Sequence, residues 1–255
     1  MERVTAGGNE LEYQRIAGTR PDAPVLVFLH EGLGSAGLWR DFPAALARRT
    51  GCGALVYSRY GNGFSAVLRE ARTPRYMHDE ALAVLPEVLN ALGIGETILV
   101  GHSDGASIAL LFAATHPAAV RGIVLEAPHV FVEDLSVRSI AAIKAPFESG
   151  DLRAKMERHH ADAARTFYGW NDVWLSPQFR QWNVEAEVER VRAPILAIQG
   201  VDDEYGALGQ LDSIAGRAAG SVDRLLLAAC GHAPHRDRRT FVEEAVAAWV
   251  RATME

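Results

Sequence analysis

The sequence Gly101-His102-Ser103-Asp104-Gly105 is a G-x-S-x-G pattern whose central serine is a candidate nucleophile. An apolar run precedes it and a helical pattern follows it, so Ser103 falls at a strand-to-helix corner. The backbone at such a corner is strained and its neighbours must be small, a requirement that Gly101 and Gly105 meet. A serine hydroxyl is a poor nucleophile at neutral pH, so this prediction requires a general base and an orienting acid further along the chain.

Acids and histidines follow two later apolar runs. Asp202 and Asp203 come after one run, and His232 and His235 come after the next. No cluster of cysteines or carboxylates at ligand spacing accompanies the histidines, so no metal is expected. The glycine-rich stretch from Ser58 to Ser65 lacks a P-loop lysine and a dinucleotide-binding context, so no nucleotide or other cofactor is expected either.

The elements that must position these residues are short apolar strands alternating with longer amphipathic helices, a pattern typical of a mostly parallel sheet covered on both faces. The first residues, Val4 to Ile16, have the pattern of an antiparallel edge hairpin. The predicted strands are Val25 to His30, Ala54 to Ser58, Thr97 to Gly101, Gly122 to Ala127, Ile195 to Gly200 and Arg224 to Ala229. The predicted helices are Trp39 to Arg49, Met77 to Leu92, Ser103 to Thr115, Leu208 to Ala215 and Arg239 to Ala252.

This alternation stops after Pro128, where helical patterns rich in aromatic residues continue to about Arg192. We interpret residues 129–192 as a helical cap inserted into a core domain formed by residues 1–128 and 193–255. Most of the aromatic side chains are expected to form the cap's own small core. Trp170 and Trp174 are candidates for an apolar pocket between the cap and the core.

The strand, elbow, insertion and late strands together resemble the α/β-hydrolase superfamily over nearly the whole chain, apart from the divergent insertion. The resemblance implies an α/β fold with a mostly parallel central sheet flanked by helices, and the chain order serine, acid, histidine. The family pattern of a glycine, two residues and then the acid selects Asp203 after Gly200. Asp202 and Glu126 are rival acids. The histidine directly after a glycine, His232, is then the base.

The resemblance also implies an oxyanion hole made of two backbone N–H groups. Asp104, the residue after the nucleophile, supplies one, and Gly32 in the loop after the first parallel strand supplies the other. His30 is expected to hold this loop by hydrogen bonds. Many family members have glycine directly after this histidine, whereas this chain has Glu31, which is a candidate for the mouth of the site. Tyr60, in the glycine-rich loop, is a further candidate for the pocket.

These residues predict a serine hydrolase that cleaves a small to medium hydrophobic carboxylic ester, lactone or thioester through an acyl-enzyme on Ser103. A carbon–carbon hydrolase acting on β-diketone or meta-cleavage type products is the alternative, because a closely similar triad serves both reactions. A non-catalytic ligand-binding member of the fold is a second alternative. A haloalkane dehalogenase or epoxide hydrolase of this fold would have aspartate in place of Ser103.

Composition and charge limit the classes of binding partner that we expect. The net charge is −6, which gives no reason to expect nucleic acid or an anionic membrane surface as a partner. The sequence has two cysteines, no secretion signal and no apolar run near the roughly 20 residues of a membrane-spanning helix, which predicts a cytoplasmic protein. The expected partners are a small hydrophobic substrate and water, with the chain either a monomer or a homodimer.

Overall fold

Eight strands form one twisted sheet at the centre of the structure, a computed structural model that describes all 255 residues. The strands are β1 Glu2–Ala6, β2 Asn9–Ile16, β3 Val25–Leu29, β4 Ala54–Tyr57, β5 Thr97–His102, β6 Val120–Glu126, β7 Ile195–Gly200 and β8 Val222–Leu227. Their order across the sheet is β1-β2-β4-β3-β5-β6-β7-β8. The pairs from β4 to β8 are parallel, whereas β2 is antiparallel to both β1 and β4. The predicted mostly parallel sheet and the predicted edge hairpin are confirmed.

Twelve α-helices flank the sheet. They are α1 Phe42–Thr50, α2 Tyr76–Asp79, α3 Leu85–Ala91, α4 Asp104–Thr115, α5 Asp134–Ala142, α6 Lys144–Ser149, α7 Leu152–Glu157, α8 Ala163–Trp174, α9 Glu185–Val188, α10 Gly209–Arg217, α11 Pro234–Asp237 and α12 Arg239–Thr253. Successive side chains of a strand point to opposite faces, so Leu99 of β5 packs into the core that contains α3 and α4, while Ile98 and Val100 pack into the core that contains α1 and α12. Both faces of the sheet are therefore covered.

No helix combines the length and the apolar character needed to cross a membrane.

Most element boundaries differ from the sequence-based prediction by no more than two residues, and three of the differences have clear local reasons. The predicted helix from Trp39 begins only at Phe42, because Ala36–Trp39 forms a separate 3₁₀ turn. The helix predicted from Met77 to Leu92 contains a π-helical turn at Glu80–Val84, next to Pro86, which has no N–H for a regular helical bond. The last strand ends at Leu227 instead of Ala229, because Ala229 has a positive φ of 49° that an extended strand cannot accommodate.

The chain between β6 and β7 is helical, as the sequence predicted, and carries α5 to α9. Its only extended pairing is an isolated bridge between Phe131 and Asn183. A small separate core lies within it and includes Phe147 and Phe167, which stack at 3.8 Å between ring centroids. The boundaries of a cap at 129–192 remain a prediction.

The close approach of β5, α4 and β3 holds the corner at which Ser103 lies. A Cβ atom added to Gly105 would lie 1.9 Å from the carbonyl oxygen of Leu29, and one added to Gly101 would lie 2.4 Å from the carbonyl oxygen of Gly105. Because these neighbours are backbone atoms of packed elements, they cannot move aside as a flexible side chain would. Any larger residue at either position separates the strand from the helix.

We expect Gly105→Ala to lower the free energy of unfolding by about 3 kcal/mol, because the added methyl group overlaps the Leu29 carbonyl in an already packed interior. Urea unfolding followed by circular dichroism measures this change. Gly216→Ala is the matched control, since Gly216 lies in α10 and a Cβ there meets nothing within 4 Å. The control is expected to be neutral or to gain up to about 1 kcal/mol from helix propensity. Equal stability of the two variants would contradict the prediction.

Candidate active site

Ser103 lies between β5 and α4 with φ of 53° and ψ of −118°, a conformation that residues other than glycine rarely adopt. Its N–H donates to the Glu126 carbonyl of the neighbouring strand, and its carbonyl accepts from Ala106 and Ser107 at the start of α4. These bonds hold the backbone of Ser103 in its strained conformation. A strained conformation persists only where the surrounding structure holds it in this way. The hydroxyl therefore has a fixed direction above the carboxyl edge of the sheet.

The side chains of Ser103, His232 and Asp203 form one hydrogen-bonded chain. Ser103 Oγ is 2.9 Å from His232 Nε2, and His232 Nδ1 is 2.8 Å from Asp203 Oδ1 and 3.0 Å from Oδ2. With a carboxylate at Nδ1, the neutral imidazole carries its proton there, and Nε2 is free to accept the serine proton. The three residues come from the loops after β5, β7 and β8, which meet at the same edge of the parallel sheet.

Asp203 is held in its ionised form by several donors. Burial opposes its charge, but the hydrogen bond and the charge of His232, together with the backbone N–H of Tyr205, lower the pKa of Asp203 below its ordinary value of 3.8. The N–H of Gly206 and the side-chain amide of Gln199 also donate to this carboxylate. A carboxylate that accepts this many bonds stays ionised near neutral pH.

Neither rival acid contacts His232. Asp202 has an exposed side chain and forms no ion pair. Glu126 is fully buried at the end of β6, where Oε2 accepts bonds from the backbone N–H and from Nδ1 of His235 at 3.0 and 2.7 Å. Of the three candidate acids, Asp203 alone is hydrogen-bonded to His232, whereas Glu126 is bonded to His235.

The two amides expected to form an oxyanion hole are buried close to Ser103. Gly32 lies in the loop after β3, and its N–H has no acceptor within the chain. Asp104 is the first residue of α4, so its N–H has no acceptor within the helix. Buried N–H groups without an acceptor are rare, so these two amides remain the candidates for an oxyanion hole.

Glu31 connects the loop after β3 to the end of β5 and to the segment that follows β8. Its carboxylate lies 3.4 Å from His102 Nδ1 and 3.2 Å from the Arg236 guanidinium. His102 Nε2 in turn donates to the carbonyl of His232 at 2.7 Å. Burial opposes both charges, but the pairing with His102 holds the pKa of Glu31 well below its usual range and raises the pKa of His102.

A cavity of about 320 Å³ opens above Ser103. Its lining includes three of the four predicted pocket residues, Glu31, Trp170 and Trp174, and also Gly32. The fourth, Tyr60, lines a separate cavity, and its hydroxyl accepts from the N–H of Arg69. The remaining lining residues are Leu33, His102, His129, Ile140, Ile143, Glu204, Tyr205, Gly231, His232, Ala233, Arg236 and Asp237.

His129 and Tyr205 belong to this cavity but carried no signal in the sequence. The rings of His129 and Tyr205 lie 5.8 and 4.8 Å from that of His232. Burial and the neighbouring His232 lower the pKa of His129 to about 3, so this second imidazole is neutral, and its Nδ1 has no partner. Only the position of His129, three residues after β6 at the carboxyl edge, could have suggested it.

Comparison with known proteins agrees with this architecture. A family model described as the alpha/beta hydrolase fold matches residues 24–229 of the chain. The match covers β3 to β8, the corner that carries Ser103 and the loop that carries Asp203, and leaves out β1 and β2. The protein therefore belongs to the alpha/beta hydrolase family and is a hydrolase.

Individual relatives carry different names. The chain is 23% identical to a proline iminopeptidase of Lactobacillus helveticus over 86% of this chain and 87% of that protein. It is 32% identical to a 2-succinyl-6-hydroxy-2,4-cyclohexadiene-1-carboxylate synthase of Enterobacter sp. (strain 638) over 77% of this chain and 68% of that protein. Its structure is similar to that of a proline iminopeptidase from Mycobacterium smegmatis, with a TM-score of 0.78, 20% identity, and coverage of 99% of this chain and 98% of that one.

The Glu31–His102 pair gives stability a defined pH dependence. Glu31 has a lowered pKa, so its contribution is present above its ordinary value of 4.5 and is lost as the pH falls through the lower folded value. His102 has a raised pKa, so its contribution is present below its ordinary value of 6.5 and is lost as the pH rises through the folded value. We expect Glu31→Gln to destabilise the protein most near pH 5.5, by about 1–2 kcal/mol.

Urea unfolding of both proteins from pH 4 to pH 9 measures this difference. Part of it should persist at high pH, since Arg236 remains charged there. Glu204→Gln is the control, because Glu204 lines the same cavity with an exposed carboxylate that forms no ion pair. A loss in Glu31→Gln that is the same at every pH would show that the pairing with His102 is not its cause.

Proposed function

We propose that this protein is a serine hydrolase that cleaves small to medium hydrophobic carboxylic esters, lactones or thioesters through an acyl-enzyme on Ser103. The observation that carries the proposal is the hydrogen-bonded chain from Ser103 through His232 to Asp203 at the floor of the 320 Å³ cavity. A serine in this arrangement has a base at hydrogen-bonding distance, and that base has an orienting carboxylate.

The reaction follows from the positions of these groups. Nε2 of His232 takes the proton of Ser103 as Oγ attacks the carbonyl carbon, and Asp203 stabilises the imidazolium that forms. The amides of Gly32 and Asp104 hold the oxyanion of the tetrahedral intermediate. His232 then returns the proton to the leaving group, and a water molecule activated by the same nitrogen releases the acid from the acyl-enzyme.

The size and lining of the cavity favour a small substrate. Its volume of about 320 Å³ lies at the lower end of the roughly 300–1,000 Å³ typical of ligand pockets. Leu33, Ile140 and Ile143 supply apolar wall, and Trp170 and Trp174 supply flat aromatic wall. A polymer or an extended peptide chain would exceed this space, whereas a compact apolar acyl group fits it.

The names of the relatives do not select the substrate. One is named an iminopeptidase and another a synthase. Similarity at this level therefore defines a shared scaffold, and the pocket determines which bond of the substrate is cleaved. A proline arylamide and a vinylogous diketone therefore belong in the same substrate screen as esters and lactones. The diketone tests carbon–carbon cleavage. Cytoplasmic location remains part of the proposal and would be tested by fractionating the source cells.

We expect the purified protein to hydrolyse p-nitrophenyl acetate or butyrate, or a small lactone, and Ser103→Ala to lose this activity by at least about 10⁴-fold, because no other group in the chain of hydrogen bonds supplies the nucleophile. A fluorophosphonate probe should label the wild-type protein at Ser103 and leave the variant unlabelled. Initial rates and mass spectrometry of the labelled peptide give the two measurements.

The other outcomes of this screen each lead to a different conclusion. Turnover of the diketone alone would replace ester hydrolysis with carbon–carbon hydrolysis, and turnover of the arylamide alone would indicate an aminopeptidase. A folded wild-type protein that is neither active nor labelled would support a non-catalytic binding role and end the proposal.

The assignment of the acid has its own test. We expect Asp203→Asn to lower kcat by about 10⁴-fold, because an amide at this position no longer fixes the tautomer of His232. Asp202→Asn is the matched control, as it makes the same chemical change one residue away on an exposed side chain, and its kcat should stay within about twofold. A larger loss in Asp202→Asn than in Asp203→Asn would move the acid to the neighbouring residue.

A further inference from the structure

Arg59 is a buried charged residue that the proposed reaction does not use directly. It follows β4 by two positions and is 1% exposed, and its closest carboxylate is that of Asp104 at 3.9 Å. Its Nε has no hydrogen-bond partner. Removing a guanidinium from water is costly, and a distant ion pair with an unpaired N–H compensates for it poorly. This ion pair is therefore a weak source of stability. The hydrogen bonds that Arg59 donates serve another purpose.

The guanidinium is hydrogen-bonded to the loop that carries the Gly32 amide. Nη2 of Arg59 donates to the carbonyl of Glu31 at 2.9 Å and to that of His30 at 3.1 Å. The backbone N–H of Arg59 donates to Nε2 of His30, so the proton of this imidazole is on Nδ1, which donates to the same Glu31 carbonyl at 2.7 Å. The N–H of Gly34 also donates to it at 2.9 Å, so three donors fix the Glu31 carbonyl, and two of them depend on Arg59 and on the imidazole that its backbone orients.

Fixing that carbonyl also fixes the next amide. In a trans peptide the C=O and the following N–H point in opposite directions, and the chain contains no cis peptide bond. The Glu31 carbonyl is directed towards Arg59, so the Gly32 N–H is directed away from it. This N–H has no acceptor in the protein, and Gly32 lines the cavity above Ser103. Asn62 holds the other side of Gly32, because its amide donates to the Gly32 carbonyl at 3.0 Å.

The same guanidinium faces the residue that carries the second amide. The Asp104 carboxylate near Arg59 also accepts from the Tyr76 hydroxyl at 2.5 Å, and Tyr76 accepts from Nε1 of Trp174 in α8. Asp104 is therefore held at its side chain while its backbone N–H faces outward at the start of α4. Arg59 is the group that contacts both halves of the expected oxyanion hole.

We propose that Arg59 is a positioning residue that sets the distance and direction between the Gly32 and Asp104 amides, so that both donate to the oxyanion. The inference rests on the proposed serine hydrolase function. An oxyanion hole acts mainly in the transition state, so its misalignment should lower kcat and leave KM nearly unchanged. Loss of an entire donor typically lowers kcat by about 10²–10³-fold, and misalignment should fall at or somewhat below that range.

The test compares Arg59→Met and Arg59→Lys with wild type on the best ester found in the screen. Arg59→Met keeps an unbranched apolar stem but is shorter and removes every donor, and kcat is expected to fall about 10–100-fold with KM within about threefold. Arg59→Lys keeps the charge beside Asp104 but has no planar fork, so its kcat should be intermediate. Binding of a trifluoromethyl ketone, whose adduct with Ser103 carries an oxyanion, should weaken by about the same factor as kcat.

Tyr57→Phe is the matched control. Tyr57 is fully buried in β4, and its hydroxyl donates to Glu80 without contact to the oxyanion loop. This variant removes a buried hydrogen bond close to Arg59, and its kcat and ketone affinity should stay within about twofold of wild type. Urea unfolding of all variants reports the stability change separately, and Arg59→Lys decides the question if Arg59→Met does not fold.

Two results would overturn the inference. Wild-type kcat and ketone affinity in a folded Arg59 variant would show that the two amides do not depend on this residue. A fall in kcat with unchanged ketone affinity would assign Arg59 a structural role elsewhere. Failure of the proposed function looks different, because the wild-type protein would then neither bind the ketone nor be labelled at Ser103.

Discussion

The strained backbone of Ser103 is the constraint on which the rest of the site depends. A positive φ at a residue other than glycine persists only when its surroundings leave no alternative. Here the surroundings are the bonds from Ser103 to β6 and to the first turn of α4, and the contact of Gly105 with the carbonyl of Leu29. The side chain at this corner cannot relax towards the sheet. The loops after the neighbouring strands can therefore be built around a serine whose backbone is fixed.

The parallel sheet makes that arrangement possible. Parallel strands place their carboxyl ends along one edge, so residues far apart in the sequence come together without a dedicated scaffold. Gly32, Ser103, Asp203 and His232 each follow a different strand and meet above that edge. The histidine loop is further tied to the loop after β3 by the contacts of His102 with the His232 carbonyl and the Glu31 carboxylate. His232, Ser103 and the Gly32 amide are thus held in a common frame.

The sequence carried enough information for the fold and for the order of the candidate site because both rest on local patterns. Strand period, the glycines of the elbow, and the short motifs after β7 and β8 can be read without knowledge of long-range contacts. Tyr60 shows the limit of such reading, since its loop is near the site but its hydroxyl is directed to the backbone of Arg69. Arg59 and His129 could not be identified because their roles depend on side-chain directions set by packing between distant segments. The shifted end of β8 has a similar origin, in the left-handed backbone of Ala229.

The cavity is made by two parts of the chain that differ in what they contribute. Its floor, with the reactive side chains, belongs to loops anchored in the sheet, whereas Ile140, Ile143, Trp170 and Trp174 come from the helices between β6 and β7, which contain a small apolar core of their own. Substitution of Ile140, Ile143 or Trp170 can reshape the space above the serine, whereas Trp174 also donates to Tyr76, which donates to the Asp104 carboxylate below it. In engineering terms, Ile140, Ile143 and Trp170 form a compact library for changing selectivity while the residues that follow the strands stay the same.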